Sequence, residues 1–200
     1  MEGSGACPAR WLFLEPYRYP DAEFSRDEFY ALIKELYTYN PNDAQLRKGV
    51  FYLTLAREQW SEAERMCRES LQRQPDPEAH HWLIVALDKQ GKLDEANKAI
   101  DEFYRTFPED AYAMLFRSLQ LMRMHGDEAA LAQAGELIRA AAHALKVEPD
   151  DRRWGYLETV RAAHLAMTGK IAEARELVKQ VRQRYSDLQF AERIEQSLRE

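Results

Sequence analysis

The chain has 200 residues, 46% of them apolar and 31% charged, with eight glycines, eight prolines and a net charge of −6. That length suits one compact domain or one short solenoid, and so few glycines leave most residues to regular elements. The acidic balance argues against nucleic acid as the partner, because phosphate binding needs a basic surface, and no apolar run approaches the roughly 18 residues of a membrane span.

Residues 1–24 read as an extended, aromatic segment. Pro8, Pro16 and Pro20 forbid a continuous helix across Pro8–Pro20. The longest apolar stretch near the start is Trp11-Leu12-Phe13-Leu14, and Gly5-Ala6-Cys7 has no hydrophobic run before it, so it does not read as a lipoprotein cleavage site. Three roles are open to this segment: a cap over the first helices, a docking segment anchored by Trp11, Phe13, Tyr17 and Tyr19, or an arm exchanged in a homodimer. Cys7 and Cys67 form no Cys-x-x-Cys pair and no disulfide framework, which points to a reduced, cytoplasmic setting.

Residues 25–39 follow as a single helix opened by the capping box Ser25-Arg26-Asp27-Glu28. Four prolines then recur in one local context, Asn40-Pro41-Asn42-Asp43, Gln74-Pro75-Asp76-Pro77, Phe107-Pro108-Glu109-Asp110 and Glu148-Pro149-Asp150-Asp151, and Tyr185-Ser186-Asp187 repeats it with serine. The stops are 34, 33, 41 and 37 residues apart. Proline ends one helix, and the acidic residues behind it cap the next and complement its dipole.

Twelve residues before three of the stops stand Glu62-Ala63, Glu95-Ala96 and Glu173-Ala174. In two of these cases a glycine, Gly91 or Gly169, precedes the alanine by five residues. Glycine supplies the left-handed residue that closes one helix, and alanine lets the two helices of a hairpin approach closely. The units are therefore about 44–75, 77–108, 111–149 and 152–186, each a helix, a tight turn and a second helix. The third unit carries about seven extra residues around Gly126 to Gly135. Residues 187–200 read as one amphipathic capping helix with Leu188, Ala191, Ile194 and Leu198 on one face.

No catalytic constellation is legible. His80, His81, His125, His143 and His164 form no zinc-binding pattern, and adjacent His80 and His81 point about 100° apart on a helix, which suits one packed and one exposed ring. No phosphate-binding loop or Gly-x-Ser-x-Gly motif is present. The sequence therefore predicts no enzyme, no metal site and no cofactor.

The repeat of proline stop, small alanine and glycine turn resembles the tetratricopeptide repeat over roughly residues 25–186, most clearly in 77–108, where Leu83, Leu87, Gly91, Ala96, Phe103 and Pro108 stand at the family's signature places. His80 replaces the family's tryptophan there, and Phe51 and Ile84 replace its small residue at the helix crossing. The resemblance implies an all-α fold, a right-handed superhelix of antiparallel helix pairs (a TPR-like α-solenoid). It implies a protein–protein interaction module, as an adaptor, assembly factor or chaperone, that binds a peptide or helix of another protein in the concave groove. A regulatory or scaffold domain of a larger enzyme or sensor is the alternative.

By the family's frame the groove-lining positions include Lys48 and Tyr52 in the first unit, and His81, Val85, Asp88 and Lys89 in the second. Tyr112, Leu115, Leu119, Met122 and Arg123 come from the third, and Tyr156 from the fourth. Some family members grip a chaperone's terminal carboxylate with a clamp of lysine, asparagine and arginine; only Lys48 matches it, with Tyr52 and Trp82 where asparagines belong, so no such clamp is expected. Residues 111–125 are apolar on more than one face. Ordinary core packing explains that breadth, as would a methionine-rich groove for an amphipathic segment.

Overall fold

In the computed structural model the described residues are 26–40, 43–146, 148–149 and 151–198. They form ten α-helices: α1 (Arg26–Tyr39), α2 (Ala44–Ala56), α3 (Trp60–Arg73), α4 (Pro77–Lys89), α5 (Leu93–Thr106), α6 (Ala111–Met124), α7 (Glu128–Leu145), α8 (Arg152–Met167), α9 (Ile171–Arg184) and α10 (Gln189–Ser197). No strand occurs among the described residues.

The punctuation of the sequence sets these boundaries. Asp43, Asp76, Asp110 and Asp151, each just behind a proline stop, are N-caps whose carboxylates accept from free amides of the next helix, as Asp110 does from Tyr112 at 2.8 Å and Ala113 at 3.0 Å. Gly91 and Gly169 adopt φ of 72° and 81°. Around them Lys92 donates to the Leu87 carbonyl and Lys170 to the Leu165 carbonyl, both at 2.9 Å, the six-to-one bond of a Schellman turn. The α2–α3 turn makes the same bond, Gln59 to Thr54 at 3.1 Å, but its left-handed residue is Glu58 at φ 56°.

Ala63, Ala96 and Ala174 at the start of α3, α5 and α9 are at most 2% exposed, so the paired helices close on them. The extra residues of the third unit lengthen α7, which has 18 residues where α3, α5 and α9 have 14.

Each helix packs on the next one in the chain, and α6 with α8 and α8 with α10 also touch. The buried side chains accordingly form successive clusters rather than one centre: Tyr30, Ile33, Val50 and Leu53 first, then a cluster around Phe103, then one shared by α6, α7 and α8, and last Ala162, Ala174, Val178 and Leu198. A stack of this kind buries each hairpin only against its neighbours and leaves an inner wall. No helix among the described residues is long and apolar enough to cross a membrane.

Candidate functional site

The inner wall is built by the first helix of each hairpin. Between α4, α6, α8 and α10 lies an open groove of about 850 Å³. Its apolar surface comes from Trp82 and Val85 on α4, Phe116 and Leu119 on α6, Tyr156 on α8 and Phe190 on α10. Its rim carries Glu58, Asp88, Lys89, Arg123, Arg152, Asp187 and Arg193.

Aromatic rings run along this wall without a break. Tyr52 meets Phe51 at 5.9 Å between centroids, Phe51 meets Trp82 edge-on at 6.4 Å, and Trp82 meets His81 at 4.9 Å. His81 then touches Tyr112 at 4.6 Å and Phe116 at 5.3 Å. Both lead to Tyr156, at 6.2 and 6.5 Å, and Tyr156 leads to Phe190 at 5.8 Å. These tilted and edge-on contacts suit the ring quadrupole, and they join five helices from α2 to α10.

His81 is therefore not the exposed member of its pair. It is half-buried among rings, and burial pushes its imidazole down to about 4 against the upward pull of Glu78, which keeps it neutral near pH 7. His80 is buried and lies parallel to Phe103 at 5.2 Å, filling the hairpin core. Among the described residues no group of histidines, cysteines and carboxylates is arranged to hold a metal ion.

The residues the sequence assigned to the groove divide into three sets. Val85, Asp88, Lys89, Leu119, Arg123 and Tyr156 line it, and His81 and Tyr112 support it from within the ring ladder. Lys48 and Tyr52 do not line it: both engage Glu78, the lysine at 3.3 Å and the phenol by a short hydrogen bond, and Lys48 and Glu78 border a separate, smaller pocket beside Phe51 and Met66. Leu115 and Met122 do not line the groove. They are 0% and 4% exposed, in the core shared with Leu137 and Val160, because the long α7 covers the face of α6 that carries them. Trp11, Phe13, Tyr17 and Tyr19 lie outside the described residues.

Phe190 and Arg193 were not anticipated. Phe190 follows the Ser186 stop by four residues, as Tyr112 follows Pro108, so the repeat frame would find it once the last helix is treated as the first helix of a further unit. In place, α10 is held by Arg175, which donates to the Leu198 carbonyl, by an Arg152–Asp187 pair at 3.0 Å and by Arg182 at 3.6 Å from Glu195.

No protein-family model matches the sequence, and no curated protein matches it at a significant level. Solved structures do. A thermophilic TPR protein of Thermus thermophilus, TTC0263, superposes with a TM-score of 0.62 at 17% identity, over 96% of this chain and 98% of that one. YrrB, described as a TPR protein with an unusual peptide-binding site, gives 0.50 at 14% identity, over 96% and 92%. Yeast Tom70 gives 0.51 at 15% identity, over 96% of this chain and 47% of its own. The chain has the tetratricopeptide-repeat fold.

Proposed function

We propose that this tetratricopeptide-type solenoid is a protein-interaction module, an adaptor, assembly factor or chaperone, that holds a peptide or helix of a partner protein in its concave groove. The observation that carries the reading is the continuous ring ladder beside an open groove of about 850 Å³. Half-buried aromatic side chains with polar tips supply large contact area at low entropic cost, and they dominate the energetics of interfaces. The likeness to YrrB supports the same reading, since that protein is described by its peptide-binding site.

Catalysis is not part of this reading, nor is nucleic acid, given the net charge of −6. A cytoplasmic, reducing setting is, and the free thiol of Cys67 suits it: the side chain is buried in the second core cluster, and that burial pushes its thiol up to about 12.

The test compares the proteins that co-purify with the wild-type chain and with Leu119→Arg, which fills the groove floor with a cation. A partner recovered with the wild type and lost with the variant supports groove binding. A partner recovered equally with both removes the groove from the account.

A further inference from the structure

The groove's charges are not balanced within it. Arg123 is held by Asn97 and lies 3.9 Å from Asp88, and Arg152 pairs with Asp187 at 3.0 Å. The other two cations, Lys89 and Arg193, have no carboxylate within ion-pair distance among the described residues. The fold brings these two to the same rim. Lys89 Nζ donates to Gln189 Oε1 at 3.3 Å, and Arg193 stands one helical turn beyond Gln189 on the same face of α10. Both heads lie over rings at the groove edge, Lys89 at 5.8 Å from the Trp60 centroid and Arg193 at 5.9 Å from that of Phe190. With four cations against the carboxylates of Glu58, Asp88 and Asp187, and with Lys89 and Arg193 exposed and outside any ion pair among the described residues, the groove is slightly cationic in a chain whose net charge is −6.

We propose that the groove selects an acidic amphipathic segment of a partner protein, whose apolar side chains seat on Trp82, Phe116, Leu119, Tyr156 and Phe190 while an Asp or Glu side chain reaches Lys89 and Arg193. This rests on the concave-groove reading above and adds the chemistry of the occupant. The volume suits about two turns of helix, some 11 Å long. Apolar floor contacts supply affinity, and the cationic rim supplies orientation, discrimination against basic segments and a faster encounter. The recognised group is an internal side-chain carboxylate, since both cations are side chains of the helices that carry the aromatic floor.

The probe is a random 16-residue peptide library displayed on phage and selected on the full chain, with the best peptide synthesised with blocked termini and measured by fluorescence anisotropy. Enriched peptides are expected to combine net negative charge with leucine or aromatic residues. The double variant Lys89→Glu with Arg193→Glu should bind the chosen peptide at least ten-fold more weakly. Both positions are exposed, so the fold tolerates the change; the neutral pair Lys89→Gln with Arg193→Gln should fall between. Neutral or basic enriched peptides, unchanged binding by the double variant, or a need for a free C-terminal carboxylate would overturn the proposal. If such peptides still lose binding to Leu119→Arg, the groove reading stands and only the acidic preference fails. If nothing is enriched above background, both fall.

Discussion

Lys89 and Gln189 are 100 residues apart in the chain, and their side chains meet at 3.3 Å across the concave face. The contact joins the second hairpin to the last helix, so the array curves far enough for the two to meet across the inner wall. An exposed bond of this type contributes only about 0.5–1.5 kcal/mol. Gln189→Ala should therefore leave global stability almost unchanged while amide exchange in α10 speeds up and that in α9 does not, as hydrogen-exchange mass spectrometry would read. Equal acceleration in both helices would mean that the bond braces the whole end of the stack.

Glu64 joins two hairpins. It is 9% exposed, and its carboxylate accepts from Arg68 at 2.9 Å, Gln90 at 2.9 Å and Lys92 at 2.7 Å. Burial raises its pKa, but the bonds from Lys92, Gln90 and Arg68 outweigh this and hold the group down at about 2. A carboxyl depressed in the folded state stabilises in full above its unfolded value near 4.5, and that contribution is lost as the pH falls toward about 2. Glu64→Gln should lower stability by about 1–3 kcal/mol at pH 7. In urea titrations the gap to the wild type should shrink between pH 4.5 and pH 2; a gap that stays constant would show that the charge of Glu64 contributes nothing.

Gly155 in α8 is a packing glycine. A Cβ there would lie 2.7 Å from Cδ2 of Tyr185, whose hydroxyl is fixed to the Pro149 carbonyl at 2.9 Å. Gly155→Ala gains roughly 1 kcal/mol of helix propensity and meets an overpacking penalty of about 1–3 kcal/mol. The expected sum is a net loss of about 1 kcal/mol, recovered when Tyr185→Phe frees the ring from its hydrogen bond. Thermal unfolding of the two single variants and the double variant checks this.

Glu58 takes the left-handed place that glycine fills in three other hairpins, at φ 56° against 72° for Gly91, 62° for Gly126 and 81° for Gly169. A side chain in that region costs about 1–2 kcal/mol. Glu58→Gly should raise stability by about 0.5–1 kcal/mol, part of the relief being offset by the entropy of glycine in the unfolded chain. A drop in stability would show that the Glu58 side chain makes a compensating contact.

Much of the architecture was written in short-range chemistry. Asp43, Asp76, Asp110 and Asp151 cap the helices behind the stops, and Gly91 and Gly169 close hairpins because few other residues tolerate their backbone. The Glu58 turn was not signalled, because nothing in a glutamate marks a left-handed residue. The site was legible only in part, because its face is a tertiary property. Leu115, Leu119 and Met122 are all apolar on one helix, and which of them meets solvent depends on how the lengthened α7 lies over α6. Phe190 escaped notice because a terminal amphipathic helix suggests a polar cap, whereas α10 turns its phenylalanine onto Tyr156.

The most direct measurement is site-specific photo-crosslinking in the cells that make the protein, with a photoreactive residue placed in turn at Val85 and Leu119 in the groove and at Lys98 and Glu176, positions outside it. The account predicts a specific adduct from Val85 and Leu119, mapping to one segment of one partner, and none of that mass from Lys98 or Glu176. Adducts from the outer positions with none from the groove would contradict it, and the inner wall would then be packing alone.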